Sequence, residues 1–386
     1  MLIPTERLEA AELLSPLERE RYARHLILPE VGADGQRRLK AARVLCIGAG
    51  GLGSPVALYL AAAGVGTLGL VEFDTVERSN LQRQILFGEG DLGLPKLAAA
   101  AARLRDLNPG IAIVKHPHAF TAESAMEVAA PYDLIVDGTD NFATRYLSND
   151  VAVFQKKPNV YGSIFRFEGQ CAVFHPAAGG PCYRCLFPVP PEPGLVPSCA
   201  EGGVLGVLPG LVGVLQATEA LKLVLGIGQP LTGRLVHVDA LSMKFREFRL
   251  KRDPQCPVCG DHPTITAPID YEAFCGGPAT SHHDIPSISI HHLQRELGKA
   301  AVIDVREPGE WEIAHLPGAT LIPLAQLHDR LRDLDPTART LVHCKSGTRS
   351  AKAVRLLRQA GFTSVFNVEG GIDAWAAEID PDMPTY

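Results

Sequence analysis

Two pairs of cysteines in this chain have the spacing of metal ligands. Cys182 and Cys185 form one C-x-x-C pair, and Cys256 and Cys259 form a second pair further along the chain. Four thiolates from two such turns satisfy a tetrahedral Zn2+ and leave no open position, which is typical of a structural site. The pairs therefore predict a structural zinc, with a redox role for either pair as the alternative.

A further cysteine, Cys344, begins a short loop that ends at Arg349. A predicted strand precedes this loop at 339–343, and a predicted helix follows it at 350–360. Successive backbone N–H groups and the helix N-terminus would surround the sulfur, and Lys345 and Arg349 add positive charge, so the thiolate form is favoured. We expect Cys344 to be a catalytic nucleophile and Arg349 to act beside it.

Cys199 lies in a stretch rich in proline and glycine, residues 188–203, which predicts a mobile loop. A thiol on such a loop, close to an activated acyl group, could form a thioester. The alternative is a bystander thiol with no catalytic part.

A glycine-rich turn at residues 48–53 follows a predicted strand and opens a predicted helix, so its backbone N–H groups can bind phosphate. An acidic residue at the end of the next strand can bind ribose hydroxyls, which an NAD-dependent dehydrogenase would equally need. The polar and cationic residues that follow would instead hold a triphosphate. The predicted nucleotide-binding residues are Gly48, Gly50, Gly51, Gly53, Glu72, Asp74, Ser79, Asn80, Leu81, Gln82, Arg83, Lys96, Asp140 and Asn141.

Asp140 and Asn141 directly follow a predicted strand at 133–137, at the carboxyl end where parallel sheets bind their ligands. Asp140 is predicted to act catalytically there by holding Mg2+. Two simpler interpretations stay open. Asp140 and Asn141 could cap the helix that follows, and Arg83 and Lys96 could be solvated surface charges.

These motifs, the cysteine pairs and the segment Arg21-Tyr-Ala-Arg24 together resemble the MoeB/ThiF family of E1-like adenylyltransferases, over roughly residues 15–260. The resemblance implies that the chain uses ATP to adenylate the C-terminal glycine of a ubiquitin-like sulfur-carrier protein ending in Gly-Gly. It also implies a homodimer in which Arg24 reaches the neighbouring catalytic site. One residue departs from the family pattern, because the ribose position usually holds Asp and here holds Glu72.

The Cys344 loop resembles the active loop of rhodanese sulfurtransferases, and residues 304–308, 315–319 and 370–375 match further motifs of that domain in order. Phosphatases of the same fold are the rival, but they carry one more residue between Cys and Arg. The resemblance implies a Cys344 persulfide, loaded from thiosulfate or by a cysteine desulfurase.

The two resemblances together predict adenylation of the carrier protein followed by sulfur transfer to give a thiocarboxylate, for the biosynthesis of molybdenum cofactor or other sulfur-containing molecules. Three other functions stay open. The chain could be an E1-like enzyme for protein conjugation with a regulatory rhodanese domain, a non-catalytic scaffold that binds a ubiquitin-like protein, or a dehydrogenase.

Strand-like and helix-like segments alternate from about residue 41 to 250, and again from 288, which predicts the α/β class. Residues 1–263 are expected to form a Rossmann-like E1 adenylation domain with a mixed, largely parallel sheet. Residues 264–287, rich in Pro, Gly, Ser, Thr and His, predict a flexible linker. A smaller α/β rhodanese domain is expected over 288–386.

Composition narrows the class of protein. The chain has 386 residues, 46% of them hydrophobic, and a formal net charge of −6 without a basic block, which disfavours nucleic acid as a partner. The longest apolar run, 202–217, contains Pro209 and is shorter than the roughly 18 to 20 residues of a membrane span, so we expect a buried helix and no membrane partner. The first residues have no apolar signal segment, which predicts a cytoplasmic protein.

Overall fold

The computed structural model describes residues 2–10, 12–191, 202–276 and 285–386. The chain divides into two compact units, Met1–Gly277 and Pro278–Tyr386. Cys199, the predicted thioester cysteine, lies outside the described residues.

The first unit is built on an eight-stranded sheet with the order β3-β2-β1-β4-β5-β6-β7-β8. The pairings from β3 through to β5 are parallel, and those from β5 to β8 are antiparallel. Central strands are apolar along their length because helices cover both faces. The strands are β1 Arg43–Ile47, β2 Thr67–Val71, β3 Ala112–His116, β4 Leu134–Asp137, β5 Asn159–Phe165, β6 Glu168–Phe174, β7 Arg234–Asp239 and β8 Lys244–Arg249.

Helices connect the parallel strands, and shorter helices begin and end the unit. The α-helices are α1 Thr5–Ala10, α2 Pro16–Arg21, α3 Ala23–Leu26, α4 Gly32–Ala41, α5 Gly53–Ala63, α6 Lys96–Leu107, α7 Ala125–Ala129, α8 Phe142–Phe154, α9 Tyr183–Leu186, α10 Val207–Leu225 and α11 Tyr271–Phe274. Short 3-10 turns occur at Arg78–Asn80, Glu89–Asp91 and Pro176–Ala178.

The helix α10 differs from the expectation for the apolar run at 202–217. It begins at Val207 and extends to Leu225, and by length and composition alone it is the one helix of the described residues that could cross a membrane. Pro209 does not shorten it, because a first-turn N–H has no intrahelical partner to lose. The helix packs on α5, β5 and β6, and half of its apolar window is buried. This packing is that of a core helix.

The start of the predicted linker is folded. Residues 265–276 belong to the first unit and contain α11, where Tyr271 is buried and Asp270 caps the helix by accepting a hydrogen bond from the N–H of Ala273 at 2.9 Å. Ile269 and Phe274 pack on the same apolar cluster as Tyr271. The expectation of a flexible linker over all of 264–287 is therefore corrected for these residues, because their few apolar side chains find a surface to cover.

The second unit has a five-stranded, wholly parallel sheet with the order β11-β10-β12-β13-β9. With the sheet of the first unit, it confirms the predicted α/β class. The strands are β9 Ser287–Ile288, β10 Ala301–Asp304, β11 Thr320–Leu321, β12 Thr340–His343 and β13 Val365–Val368. The helices are α12 Ile290–Glu296, α13 Pro308–Ile313, α14 Thr348–Gln359 and α15 Gly371–Glu378, with 3-10 turns at Leu324–Gln326 and Leu331–Asp333.

Candidate active sites and metal centre

The glycine-rich turn lies where the strand order of the first sheet reverses, between β1 and β4. Gly48 has a φ of +86°, and a Cβ placed on Gly53 would lie 2.0 Å from the carbonyl oxygen of Gly48. A Cβ on Gly48 would in turn lie 3.2 Å from the oxygen of Gly138, which follows β4. The turn therefore excludes side chains at both glycines and opens the crevice in which sheets of this topology bind ligands.

Glu72 is fixed beside this turn. Its carboxylate accepts hydrogen bonds from the N–H groups of Ala49 at 3.0 Å, Phe73 at 2.9 Å and Asp74 at 3.0 Å. It lines a cavity of about 850 Å3 together with Gly48. The predicted ribose acceptor is thus pre-positioned by backbone donors at the edge of a cavity large enough for a nucleoside.

The predicted cations of this site are held in defined positions. Lys96 is 5% exposed, and its Nζ lies 3.1 Å from an oxygen of Asp74. Arg83 is half-buried, and its guanidinium donates to the carbonyl oxygen of Ser79 at 3.0 Å. For Lys96 the interpretation as a solvated surface charge is wrong, because the side chain is buried and its charge is paired with Asp74.

The turn between β2 and α6 carries the remaining predicted residues of this group. Asn80 is buried in the 3-10 turn and accepts from the N–H of Glu77 at 3.2 Å, while Leu81 is half-buried and Gln82 is exposed. Gln84, which the sequence did not single out, is 5% exposed, and its Oε1 has no hydrogen-bond partner among the described residues. Its amide nitrogen lies 3.7 Å from where a Cβ on Gly50 would be, so Gln84 borders the turn with unused hydrogen-bonding capacity.

Asp140 and Asn141 differ in what they do. Asn141 caps α8 by accepting from the N–H of Thr144 at 2.8 Å, so the simpler interpretation holds for this residue. Asp140 is exposed at the carboxyl end of β4. Asp137, the last residue of β4, is buried and accepts hydrogen bonds from the hydroxyls of Thr139 and Ser148. Burial raises the pKa of Asp137. Of these three side chains, only Asp140 is free to reach a cation in solvent.

Arg24 lies on the short helix α3 and is exposed. Within the part of the chain that the structure describes, its guanidinium makes no hydrogen bond or ion pair. Arg24 is also not among the described residues that line the cavity beside Glu72.

The four paired cysteines converge. Their sulfur atoms all lie within 4.8 Å of one another, and three of the separations are 3.5 Å for Cys182–Cys256, 3.8 Å for Cys182–Cys185 and 3.4 Å for Cys185–Cys259. None of the four forms a disulfide. A tetrahedral Zn2+ with Zn–S bonds of about 2.3 Å places its sulfurs about 3.8 Å apart. The donor set and spacing fit a closed zinc site.

In the second unit, Cys344 follows β12 and is 1% exposed. Its sulfur accepts hydrogen bonds from the N–H of Gly347 at 3.1 Å and from the hydroxyl of Ser350 at 3.4 Å. Gly347 has a φ of +101°, which turns the loop into α14 and aims its N–H at the sulfur. Gly371 packs on the loop from behind, where a Cβ would lie 2.4 Å from the oxygen of Cys344.

The two cations of this loop are held by distant segments. Arg349 donates to both oxygens of Glu310 at 2.7 Å, a bidentate pair. Burial would raise the pKa of Glu310, but the Arg349 guanidinium holds it below its usual range. Lys345 donates to the backbone oxygen of Tyr386, and its Nζ lies 4.5 Å from the centre of that ring. The hydroxyl of Tyr386 donates to Glu310 at 2.8 Å.

Family comparisons agree with this division into two sites. The ThiF family matches residues 22–258, which is more than half of the chain, and the Rhodanese-like domain matches residues 289–378. The chain belongs to the ThiF family. Its resemblance to E1-like adenylyltransferases fused to a rhodanese domain is thereby confirmed.

Two relatives of this ThiF-family chain align over nearly its whole length. It is 48% identical to the probable adenylyltransferase/sulfurtransferase MoeZ of Mycobacterium tuberculosis, covering 98% of both chains. It is 44% identical to the adenylyltransferase and sulfurtransferase MOCS3 of Mus musculus, covering all of this chain and 91% of the relative. The sulfur carrier protein adenylyltransferase of Thermus thermophilus is 57% identical over 67% of this chain and 97% of its own length. The chain is therefore an enzyme of the adenylyltransferase and sulfurtransferase class.

Solved structures support the fold of the first unit. The crystal structure of Escherichia coli MccB with MccA-N7isoAsn aligns with a TM-score of 0.57 at 23% identity, covering 67% of this chain and 77% of that one. At this identity the likeness shows the fold alone.

The structure brings together some of the predicted site residues of the ThiF-family chain and not others. Its glycine turn, Glu72, Asp74 and Lys96 meet at one end of the sheet, and the four cysteines meet beside α9. Gln84, Glu310 and Tyr386 were not predicted. Nothing in a single sequence marks Gln84, which directly follows the polar run 79–83, as a buried residue of the site. The same holds for Glu310 and Tyr386, which lie far along the chain from the residues that they contact.

Proposed function

We propose that this enzyme uses ATP to adenylate the C-terminal glycine of a ubiquitin-like sulfur-carrier protein and then replaces the activated oxygen with sulfur. The observation that carries the proposal is the Cys344 loop, whose buried sulfur accepts two hydrogen bonds in a chain that also has an E1-like nucleotide site. The name of the Thermus thermophilus relative, a sulfur carrier protein adenylyltransferase, supports the class of partner.

In the first step the carrier carboxylate attacks the α-phosphorus of ATP, forming an acyl-adenylate and releasing pyrophosphate. Glu72 and the glycine turn hold the ribose and phosphates, and Lys96 and Arg83 stabilise charge that develops on the phosphate oxygens. Asp140 is the residue we assign to Mg2+, which would neutralise phosphate charge when bound. Zn2+ on the four cysteines would hold α9 to the segment after β8 that contains Cys256. Its role would be structural.

In the second step sulfur arrives on Cys344. Its thiolate attacks the outer sulfur of thiosulfate, sulfite leaves, and a Cys344 persulfide remains; a cysteine desulfurase persulfide would load it in the same way. The terminal persulfide sulfur then attacks the acyl carbon, either of the adenylate with loss of AMP or of a Cys199 thioester with loss of that thiolate. A thiol reductant attacks the Cys344 sulfur of the resulting acyl disulfide, and the carrier thiocarboxylate leaves.

The surroundings of the reaction are also proposals. We assign the protein to the cytoplasm and to a homodimer in which the exposed Arg24 of one protomer acts on its partner. Molybdenum cofactor synthesis is one destination of the thiocarboxylate, alongside other sulfur-containing biomolecules.

The intact mass of a carrier protein ending in Gly-Gly tests the proposal. The carrier is incubated with the enzyme, ATP, Mg2+, thiosulfate and a thiol reductant. We expect one oxygen to be replaced by sulfur. Pyrophosphate release with no change of mass would support adenylation and reject the sulfur step, as a conjugating E1 or a regulatory second domain requires. If several carriers gave neither pyrophosphate release nor a change of mass, the whole proposal would be rejected and a non-catalytic scaffold would be favoured.

A further inference from the structure

One wall of the cavity at the nucleotide turn comes from an unexpected part of the chain. The cavity that contains Gly48 and Glu72 is also lined by Pro268, Ile269, Asp270, Tyr271 and Glu272. These residues lie beyond residue 258, where the ThiF family match ends, and immediately before the segment that leads to the second unit.

The wall is held in place from behind by a buried hydrogen-bond chain. The hydroxyl of Tyr271 donates to Asp150 at 2.9 Å, and the same carboxylate forms an ion pair with Arg184 at 2.8 Å. Asp150 and Arg184 are at most 1% exposed. Arg184 lies on α9 between Cys182 and Cys185, so the wall is tied to the cysteine cluster.

This end of the cavity has the chemistry of a nucleoside site. Ile47, Val71 and Phe120 line it along with Ile269, which provides apolar surface for a planar base next to the ribose carboxylate Glu72. Arg83 and Lys96, assigned to the phosphates, are not among the described residues that line it. The wall therefore faces the adenosine and not the triphosphate.

We infer that Pro268–Glu272 forms part of the adenosine pocket, and that nucleotide binding and the ordering of this segment stabilise each other. The inference rests on the proposed function, because it assigns that nucleotide to this cavity. Linkage makes the effect reciprocal: a ligand that contacts the ordered wall holds it in place, and loosening the wall weakens the ligand. Tyr271 is a positioning residue in this scheme. The segment that leads out of the first unit would thereby become more ordered when the nucleotide binds.

Two measurements on the full-length enzyme test this inference. In the wild type, hydrogen exchange at the amides of Phe274 and Cys275, which donate to Asp270 and Tyr271, should slow when ATP and Mg2+ are added. In Tyr271→Phe, which leaves Asp150 paired with Arg184, the KM for ATP should rise about three- to tenfold, as for one lost hydrogen bond. The KM for the carrier and thiosulfate sulfurtransferase activity should stay within about twofold of wild type.

Tyr146→Phe is the matched control. In the wild type, the Tyr146 hydroxyl donates to the carbonyl oxygen of Phe187 at 2.9 Å. Tyr146 belongs to the same aromatic cluster as Tyr271 but does not line the cavity. The inference would be overturned, with the proposed function left intact, if an active enzyme showed no change in exchange at Phe274 and Cys275 on addition of ATP. It would also be overturned if the Tyr271→Phe variant kept the wild-type KM for ATP. Slower exchange with ATP in an enzyme that adenylates none of the carriers would support the pocket and reject the function.

Discussion

At the nucleotide site of the first unit, the polar groups come from several segments and border an open cavity, whereas at the thiol loop of the second unit they converge on one buried sulfur atom. Glu72 is fixed by backbone donors at the edge of a crevice of about 850 Å3, and Lys96 is held by Asp74. Cys344 is 1% exposed and accepts hydrogen bonds from Gly347 of its own loop and from Ser350 in the first turn of α14.

The difference follows from what each site must stabilise. A triphosphate spreads its charge over many oxygens, so a site for it needs cations at several places and space between them. A persulfide concentrates reactivity on one sulfur, so backbone N–H groups and a helix N-terminus within one loop suffice. Single substitutions should therefore abolish the second activity more completely than the first.

The largest effect is expected for Cys344→Ala. Removing the sulfur removes the atom that carries the persulfide, so transfer from thiosulfate should fall to background while carrier-dependent pyrophosphate release is retained. A thiosulfate sulfurtransferase assay measures the sulfur transfer, and detection of pyrophosphate measures the adenylation. Cys275→Ala is the control, since that cysteine is half-buried outside both sites. Residual sulfur transfer in the Cys344 variant would mean that another thiol carries the sulfur.

Cys182→Ser should break the first unit and spare the second. A structural zinc site contributes directly to folding, so the variant should lose zinc by elemental analysis and lose adenylation. The chain's two tryptophans, Trp311 and Trp375, both lie in the second unit, so their fluorescence reports its unfolding separately. We expect an unchanged tryptophan transition and retained transfer from thiosulfate. Cys171→Ser serves as a comparison for a buried thiol outside the cluster. A zinc-free variant that still adenylates would show that the metal is dispensable.

Lys96→Met should lower the rate of adenylation about a hundredfold, the usual cost of losing one preorganised group that stabilises transition-state charge. The long apolar side chain keeps the buried volume, and Asp74 is half-exposed and can return to water. Lys115→Met, at an exposed position of β3, is the matched control. Pyrophosphate release under saturating ATP measures the effect. A fall of less than threefold in this rate would mean that Lys96 has only a structural role, and it would weaken the contrast between the two sites.

The elements of both sites could be read from the sequence, because their signals are local. A strand expected at 133–137 occurs as Leu134–Asp137, the glycine turn opens α5 at Gly53, and the Cys344 loop runs into α14 at Thr348. The glycines, the alternation of strand-like and helix-like segments, and the cysteine spacing predict each element to within a few residues. The positions of the reactive groups then follow from the backbone.

Partners from distant segments could not be read in the same way. Glu310 meets Arg349 from 39 residues away, and Tyr386 meets Glu310 from 76. Nothing in the local pattern of either residue marks it, because the contact exists only once the sheet is assembled. The wall at 268–272 was hidden for another reason: its few apolar side chains stand in a stretch whose average composition is that of a linker.

Acid should weaken the second unit through His343. This residue is fully buried, its Nε2 has no hydrogen-bond partner within the described residues, and burial lowers its pKa to about 4. The unfolded chain binds this proton near pH 6.5, so unfolding is favoured as pH falls from about 6.5 toward 4, by about 1.4 kcal/mol per pH unit. Urea unfolding followed by tryptophan fluorescence should show this slope. His343→Gln should flatten the difference, and an equally steep slope in that variant would assign it to other groups.

Tyr386→Phe tests whether the thiol loop depends on distant support as the nucleotide site does. The substitution keeps the ring beside Lys345 and removes only the hydroxyl that donates to Glu310 and accepts from Arg306 at 2.7 Å. Losing it should loosen the Glu310–Arg349 pair by about 1 kcal/mol and raise the KM for thiosulfate about fivefold. Turnover at saturation should change little, because the donors to the Cys344 sulfur stay in place. Tyr59→Phe, at an exposed tyrosine of the first unit, is the control. An unchanged KM would mean that the loop alone places Arg349, which would make the thiol site self-contained and widen its difference from the nucleotide site.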